Sequence, residues 1–467
     1  MTLRTLVEGF PYDWQIEIVR RSGLLPVYWV ANDLGNESLL PDGVIYHRSE
    51  DAVRGIPAPE FRESAPVPMP DEYFQANVPL LDTVLRMLSI REDQFGEAFP
   101  TYAHRRRHVY DLVAYWSFVL NHLSIEAVLI EAIPHLPHHY VIYHLAKEKG
   151  LVTLFFNGVG EPSRFFICES LDDVAHVRSG AGPVGETEEL VPSRTPPKYA
   201  EHRPERRVTL NRLRARSRLS LAFVGEVLGY TRARFRLGVE RWWQRRARGR
   251  FMREYARYAR ADVPDSAFVY YPLSEQPEDT SFPLGGNFED QVYAARYLAG
   301  LLPDGVKLII KEHPNQRPWR GRYDGYYREL ASIPGVELIA MGVSTFDLIE
   351  KCDAVATISG QAGWEGLTNR KPVIAFGAPW YATCPYVYPI ESLREEPGRI
   401  WRDRPLDAER IKDWYGDFLA STYAGYPNAI AKPSGTTSVE ENVELVSHAI
   451  ERYLASRTGT SGDGVAE

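Results

Sequence analysis

Two polar loops in the second half of the chain carry the residue types that hold a phosphate. The first is Lys311-Glu312-His313-Pro314, which closes the mostly apolar run Val306–Ile310. The second is Ser359-Gly360-Gln361, which follows Ala354–Ile358 and leads into a helix-compatible stretch, Trp364–Asn369, containing Glu365. His313 can donate a hydrogen bond to a phosphate oxygen, Pro314 stiffens the turn, and Lys311 adds a point charge. In the second loop Ser359 offers a hydroxyl. Gly360 lets backbone N–H groups approach an anion, and the following helix supplies its positive end. Glu365 lies in the first turns of that helix, where a carboxylate accepts hydrogen bonds from ribose hydroxyls. As a bare charge near a helix N-terminus it contributes only about 0.3–1 kcal/mol. Ser274 and Glu275, after Tyr270-Tyr271-Pro272, stand at a further strand end. Strand, polar loop and helix in this order are how an α/β domain builds a site for a phosphorylated nucleotide.

The first half offers carboxylates and imidazoles for acid–base work. Glu8 and Asp13 occupy the loop after the first strand-like run. Asp13 equally fits a helix N-cap before Trp14. A second loop, Glu131-Ala132-Ile133-Pro134-His135-Leu136-Pro137-His138-His139, follows the apolar run Ala127–Ile130. Its histidines suggest a metal, yet nothing nearby in sequence completes a closed ligand set, so no metal is expected. Glu131 and His135 are the leading pair for taking a proton. A third loop, Asn157-Gly158-Val159-Gly160-Glu161, places Glu161 after another strand.

The elements that position these loops alternate strand with helix. Leu3–Val7, Pro26–Val30, Gly43–Tyr46, Ala127–Glu131 and Val152–Phe156 read as strands of the first half. Trp14–Ser22, Asp71–Ser89, Tyr102–Leu123 and Tyr140–Lys149 read as its helices. In the second half Ala267–Tyr271, Val306–Ile310, Val336–Leu338, Ala354–Ile358 and Val373–Phe376 read as strands. Such alternation is the signature of parallel sheets. The expected fold class is α/β, with two Rossmann-like doubly wound domains facing a cleft. The expected boundaries are 1–178, a loop and Arg-rich helical linker at 179–262, a nucleotide domain at 263–440, and a helix with a frayed tail at 441–467.

With 467 residues the chain is long enough for two or three domains. No stretch approaches the roughly 18–20 apolar residues of a membrane helix, and no signal-peptide core opens the sequence. Three widely spaced cysteines fit a reducing cytoplasm. The net charge of −8 is unevenly spread, because roughly one residue in three between Arg203 and Arg260 is arginine. Two readings of that segment stand: contact with an anionic membrane surface, or a helical linker packing its aromatic stripe on the protein. No nucleic-acid motif accompanies the charge.

The second half resembles the nucleotide-sugar domain of GT-B glycosyltransferases. Within them it resembles the capsule polysaccharide synthesis family, which includes Kdo transferases that use CMP-Kdo. The matching pieces are Lys311–Pro314, Ser344-Thr345-Phe346-Asp347-Leu348-Ile349, Ile358–Leu367 and Lys371-Pro372-Val373-Ile374-Ala375-Phe376-Gly377. The resemblance implies that His313 and Ser359 contact the donor phosphate and that the first half holds acceptor and base. It implies a nucleotide sugar, CMP- or UDP-linked, as substrate rather than a cofactor, and a surface glycan or glycolipid acceptor. The cysteines and the N-terminus point to a cytoplasmic protein, and the membrane reading of the Arg-rich segment would place it at the inner face of the cytoplasmic membrane. Gly360 departs from the pattern, because related serine motifs often carry a second hydroxyl there. The same motifs resemble UDP-sugar 2-epimerases, although those carry an acid before the serine and more glutamates after it. A CDP-polyol phosphotransferase and a non-catalytic glycan-binding protein are further alternatives.

Overall fold

A computed structural model of the chain describes residues 2–32, 34, 37–64, 66–91, 98–159, 164–176, 246, 248–276, 281–316, 322–396, 398–402, 405–428 and 438–459. Glu161, the link at 179–204 and most of Arg203–Arg260 lie outside them.

The first half supplies β1 (Arg4–Glu8), β2 (Leu25–Ala31), β3 (Ile45–Arg48), β4 (Ala127–Ile130), β5 (Val152–Gly158) and β6 (Arg164–Cys168). The second supplies β7 (Ala259–Arg260), β8 (Phe268–Pro272), β9 (Lys307–Lys311), β10 (Val336–Ile339), β11 (Ala354–Thr357), β12 (Val373–Ala375) and β13 (Val387–Pro389). A last short strand, β14 (Tyr423–Ala424), returns to the first sheet. The strand orders are β14-β6-β5-β4-β1-β2-β3 and β13-β12-β11-β8-β9-β10-β7. The second sheet is parallel throughout, and the first is parallel from β3 to β5. Two parallel-rich sheets flanked by helices are the α/β, GT-B-like class expected from the sequence.

Chain order explains which strands lie at the centre. Ala127-Val128-Leu129-Ile130 is buried on both faces, as a central parallel strand with helices on either side must be. The polar residue ending such a strand has only the sheet's carboxyl edge left to occupy. That places Glu131 beside the end of β1, where its N–H donates to the Glu8 carbonyl at 2.9 Å.

Several boundaries differ from the sequence reading for local reasons. The helix expected over Asp71–Ser89 breaks at Asn77 into Asp71–Ala76 and Val78–Ile90, and Pro79 lies in the first turn of the second piece. The helix expected from Tyr140 begins at Pro137, whose fixed φ suits the first helical position. The strands β6, β7, β13 and β14 and the helix Ala408–Ala420 were not anticipated. Among the described residues no helix is long and apolar enough to cross a membrane.

The C-terminal part of the chain joins the two sheets. Trp364 and Trp380, after β11 and β12, pack with Trp414 and Phe418 of the helix Ala408–Ala420. Phe418 meets Phe166 of β6 edge-on at 6.2 Å. Each such ring contributes about 1.5–3 kcal/mol on full burial. The final helix, Val439–Gly459, packs Val443, Val446 and Ile450 into the core formed by Val7, Ile16 and Val19. On the other side of the chain Arg86 pairs with Glu289 at 3.0 Å and donates to the Gly286 carbonyl at 3.0 Å. The described end of the arginine-rich segment runs as helix to Tyr258 and buries Phe251 and Tyr255 in the second core, so there the aromatic stripe packs on the protein.

Candidate functional site

The carboxyl edge of the second sheet gathers three strand ends in a row. β8 lies between β9 and β11, so the loop at Ser274-Glu275 stands between the His313 turn and the Ser359 turn. Two strand spacings separate those flanking turns by about 10 Å, the span of a sugar-phosphate unit.

The His313 turn is held from beneath by a buried charge. Glu312 is 3% exposed. Its carboxylate accepts from Arg322 Nε at 2.8 Å and Nη2 at 3.0 Å, from the Tyr327 hydroxyl at 2.8 Å, and from the His313 N–H at 2.7 Å. Arg322 also donates to Gln276 Oε1 at 2.8 Å and to the Ser274 carbonyl at 3.2 Å, tying the β8 and β9 loops together. Above this network His313 stays partly exposed. Its Nδ1 accepts from the Asn315 N–H at 3.3 Å, so in the neutral ring the proton sits on Nε2. Burial lowers the His313 pKa, against the opposing charges of Glu275 and Glu312, and keeps the ring neutral. Glu275 lies 3.7 Å from Nδ1. Ser274 is fixed through its backbone, donating to Gln291 Oε1 at 2.7 Å.

Lys311 behaves differently from the point charge expected. Its ammonium donates to the Val343 carbonyl at 2.5 Å and to Thr345 Oγ1 at 3.1 Å. It therefore pins the loop before the helix Thr345–Lys351 and is not presented to a ligand.

At the second turn Ser359 is buried, and the groups nearest solvent are Gly360 and Gln361. The Gly360 N–H donates to Thr357 Oγ1 at 3.0 Å, and the Tyr381 hydroxyl donates to the Gly360 carbonyl. Gly360 caps the helix Gln361–Thr368 without a side-chain bond. The Gly363 N–H donates to the Gly360 carbonyl at 3.3 Å, and the Gln361 and Ala362 amides ahead of it have no intrahelical partner. A Cβ at Gly363 would collide with the Tyr381 ring, so only glycine lets this helix start so close to Tyr381. Burial alone raises the Glu365 carboxyl to about 7.

The first sheet carries a pocket of about 130 Å³ at its own carboxyl edge, lined among others by Glu8, Asn32, Ser49, Glu131, His135 and His139. Gly9, at φ +89°, turns the chain sharply after β1, and a Cβ there would strike Glu131. Glu131 accepts from Gln15 Nε2 at 2.8 Å and the Phe10 N–H at 3.2 Å. Burial raises its pKa to about 6 against these two bonds. His135 Nδ1 donates to the Ile133 carbonyl at 2.8 Å, which leaves Nε2 as the acceptor of the ring. Glu8 is 4% exposed, and burial raises its carboxyl to about 8 despite nearby His135. Burial lowers both His138 and His139 well below the usual imidazole range.

The structure therefore brings Glu8, Glu131 and His135 to one pocket. It does not bring Asp13 there. Asp13 is exposed in the first turn of its helix, with Tyr12 at the cap position, and does not line the pocket. The sequence reading missed Gln15 and Arg322, and it quoted His139 in its loop without placing it in the site. Gln15 left a signal, being a polar residue within the apolar face Ile16, Ile18 and Val19. Arg322 left none, since its partners come from separate loops.

Residues 277–384 match the family of capsule polysaccharide biosynthesis proteins. A capsule polysaccharide modification protein, LipA, of Neisseria meningitidis serogroup B is 36% identical over 75 residues, which are 16% of this chain and 10% of that protein. The chain thus spans about a tenth of the length of the curated relatives it matches. A solved Thermosulfurimonas dismutans KpsC, a beta Kdo 2,7 transferase, aligns with 71% of this chain and 88% of its own at 14% identity and a TM-score of 0.29. The UDP-GlcNAc 2-epimerase of Methanocaldococcus jannaschii aligns with 89% and 98% at 9% identity and a TM-score of 0.25. The resemblance to capsule polysaccharide synthesis proteins, read first from short motifs, therefore holds over the segment that carries His313 and the Ser359 turn.

Proposed function

We propose that the chain transfers a glycosyl group from a nucleotide-activated sugar to an acceptor in capsule or surface-glycan synthesis. The donor is an acidic sugar of the Kdo kind, carried on CMP. The observation that carries this reading is the placement of a neutral His313 and the uncapped Gly360 turn on either side of the end of β8. In this reading His313 Nε2–H and the Gln361 and Ala362 amides at the start of the helix Gln361–Thr368 hold the donor phosphate, and Ser359 supports that turn from behind. Those donors also stabilise the charge that develops on the departing nucleotide. Glu365 accepts from the ribose hydroxyls. The pocket of the first sheet takes the acceptor, with His135 Nε2 as the base and Glu131 holding the negative field beside it.

Nucleotide binding is the first test. CMP, CDP, UDP and GDP are titrated against the thermal melt of the protein. CMP is expected to raise Tm the most, and His313→Ala to weaken CMP binding by at least about 10-fold while changing the melt of the free protein little, as one lost charge-assisted bond implies. A flat response to all four nucleotides, or equal affinity in the mutant, would remove the donor site. Nucleotide release that requires an acceptor separates this reading from an epimerase, which turns over donor alone.

The Glu365 carboxyl gives a second expectation, with a definite sign. Its pKa in the folded protein, about 7, lies above the ordinary carboxyl value of about 4.3. The folded state therefore takes up a proton between those values, and the group's contribution to stability falls as pH rises through that window. Ribose hydroxyls donate more strongly to the ionised form. Nucleotide affinity is thus expected to rise several-fold from pH 6 to pH 8. In Glu365→Gln that rise should vanish. A parallel pH profile in parent and mutant would assign the ribose to another residue.

A further inference from the structure

Three side chains at the back of the acceptor pocket converge from distant parts of the chain. Glu8 ends β1, while His138 and His139 lie in the first turn of the helix Pro137–Glu148. One ligand atom from each lies within 4.8 Å of the other two. Glu8 Oε1 is 2.5 Å from His139 Nε2 and 3.9 Å from His138 Nε2. Both rings are buried, His138 completely.

The hydrogen-bond state of these rings is unusual. None of the four ring nitrogens of His138 and His139 has a hydrogen-bond partner among the described residues. The contact of His139 with Glu8 is close but is not aligned as a hydrogen bond. A proton placed between those two groups would leave His138 with nothing. Burying several polar nitrogens without partners is disfavoured, and buried polar groups in folded proteins are nearly always satisfied.

We propose that Glu8, His138 and His139 form a binding site for one divalent transition-metal cation of the zinc class. Two imidazole nitrogens and one carboxylate oxygen are a donor set that suits zinc, cobalt or iron(II), whereas magnesium and calcium favour all-oxygen ligands. Ligand atoms about 2.1 Å from a tetrahedral metal lie about 3.4 Å from one another. The His138 separation is already close to that, and the Glu8 carboxylate needs to swing about 1 Å from His139. Glu8 and His139 also line the acceptor pocket, which gives the ion its route in and leaves a coordination position open toward His135 and Glu131. Three protein ligands with one open position are the arrangement of a metal that binds substrate oxygen. The ion would then orient an acceptor hydroxyl or carboxylate. The proposal stands on the geometry of these three residues and is independent of the identity of the donor.

The sequence alone hid the site. His138 and His139 were visible as neighbours, but their third partner lies at the opposite end of the first half and is brought in by the pairing of β1 with β4.

The test uses the full chain, stripped with chelator, and reads binding rather than turnover. Titration with Co²⁺ is expected to give a saturable visible d–d spectrum of a four- or five-coordinate nitrogen–oxygen site at one ion per chain. Zn²⁺ should displace it and raise Tm, while Mg²⁺ does neither. His139→Ala, His138→Ala and Glu8→Gln should each weaken Zn²⁺ binding by more than the about 10–100-fold that losing a supporting partner costs. Circular dichroism in chelator checks that the variants are folded. Should a variant fail to fold, the cobalt spectrum and stoichiometry of the parent decide. An octahedral aquo-like spectrum, no stoichiometric binding, or unchanged affinity in folded variants overturns the proposal.

Discussion

Replacement of His135 by alanine is expected to lower kcat for glycosyl transfer by about 10²–10⁴-fold, the usual contribution of a positioned general base, with nucleotide affinity unchanged. The expectation follows from the ring's tautomer. A carbonyl can only accept, so the bond from Nδ1 to the Ile133 carbonyl at 2.8 Å fixes the proton on that nitrogen. The lone pair on Nε2 is then available to an acceptor hydroxyl in the pocket. Glu131 is less suited to the proton transfer itself, because its oxygens already accept from Gln15 and Phe10. Its substitution by glutamine should therefore cost less than loss of His135, and should raise KM for the acceptor more than it lowers kcat. The measurement is nucleotide release with the donor identified by thermal stabilisation, followed at varied acceptor concentration. A loss of kcat below 10-fold in His135→Ala, or a larger loss in Glu131→Gln, would pass the base to the carboxylate. If Glu131 proves to be the base, His135 remains as an acceptor-binding residue and its effect moves to KM.

Much of this site could be anticipated because local sequence determines which residues occupy strand ends. An apolar run followed by a polar residue has few options in a parallel sheet. Glu8, Glu131, His313 and Ser359 therefore fell at carboxyl edges on pattern alone, as did the α/β class. What the pattern could not carry was depth. Lys311 ends β9 and His313 follows two positions later, yet one is tied to Val343 and Thr345 and the other faces outward. Strand alternation would have put both on one side, and the turn after β9 separates them. Nor could it carry partners from distant segments. The pairing of Glu8 with His139 and of Glu312 with Arg322 depends on how helices and loops return over the sheet. The strands β6, β7, β13 and β14 escaped for a related reason. β7, β13 and β14 are two or three residues long and end their sheets, where pairing with a neighbour, rather than periodicity, makes them strands, and β6 is set by its antiparallel pairing with β5 and β14.

The largest stability effect is expected from Arg322→Ala, which leaves the Glu312 carboxylate buried without its cation. Breaking one member of a buried pair costs about 3–5 kcal/mol, because the remaining charge keeps its desolvation penalty and loses its partner. Arg322 also donates to Gln276 and the Ser274 carbonyl, and its guanidinium lies 4.7 Å from the Tyr326 ring centre, so packing is lost as well. Urea unfolding should show the loss as a lower midpoint with the slope little changed. The informative companion is the double variant Glu312→Leu, Arg322→Met. Apolar replacement of a buried pair is often neutral or stabilising, so the double variant should recover most of the stability lost in Arg322→Ala. It should not recover nucleotide binding. The His313 N–H would no longer have the Glu312 carboxylate at 2.7 Å to orient it, and the β8 and β9 loops would lose their shared cation. A double variant that is stable yet weak for nucleotide would mean that this charge pair is kept to fix the shape of the His313 turn. A double variant that binds nucleotide like the parent would mean that Pro314 and the strand end hold the turn unaided, and that the pair serves folding alone.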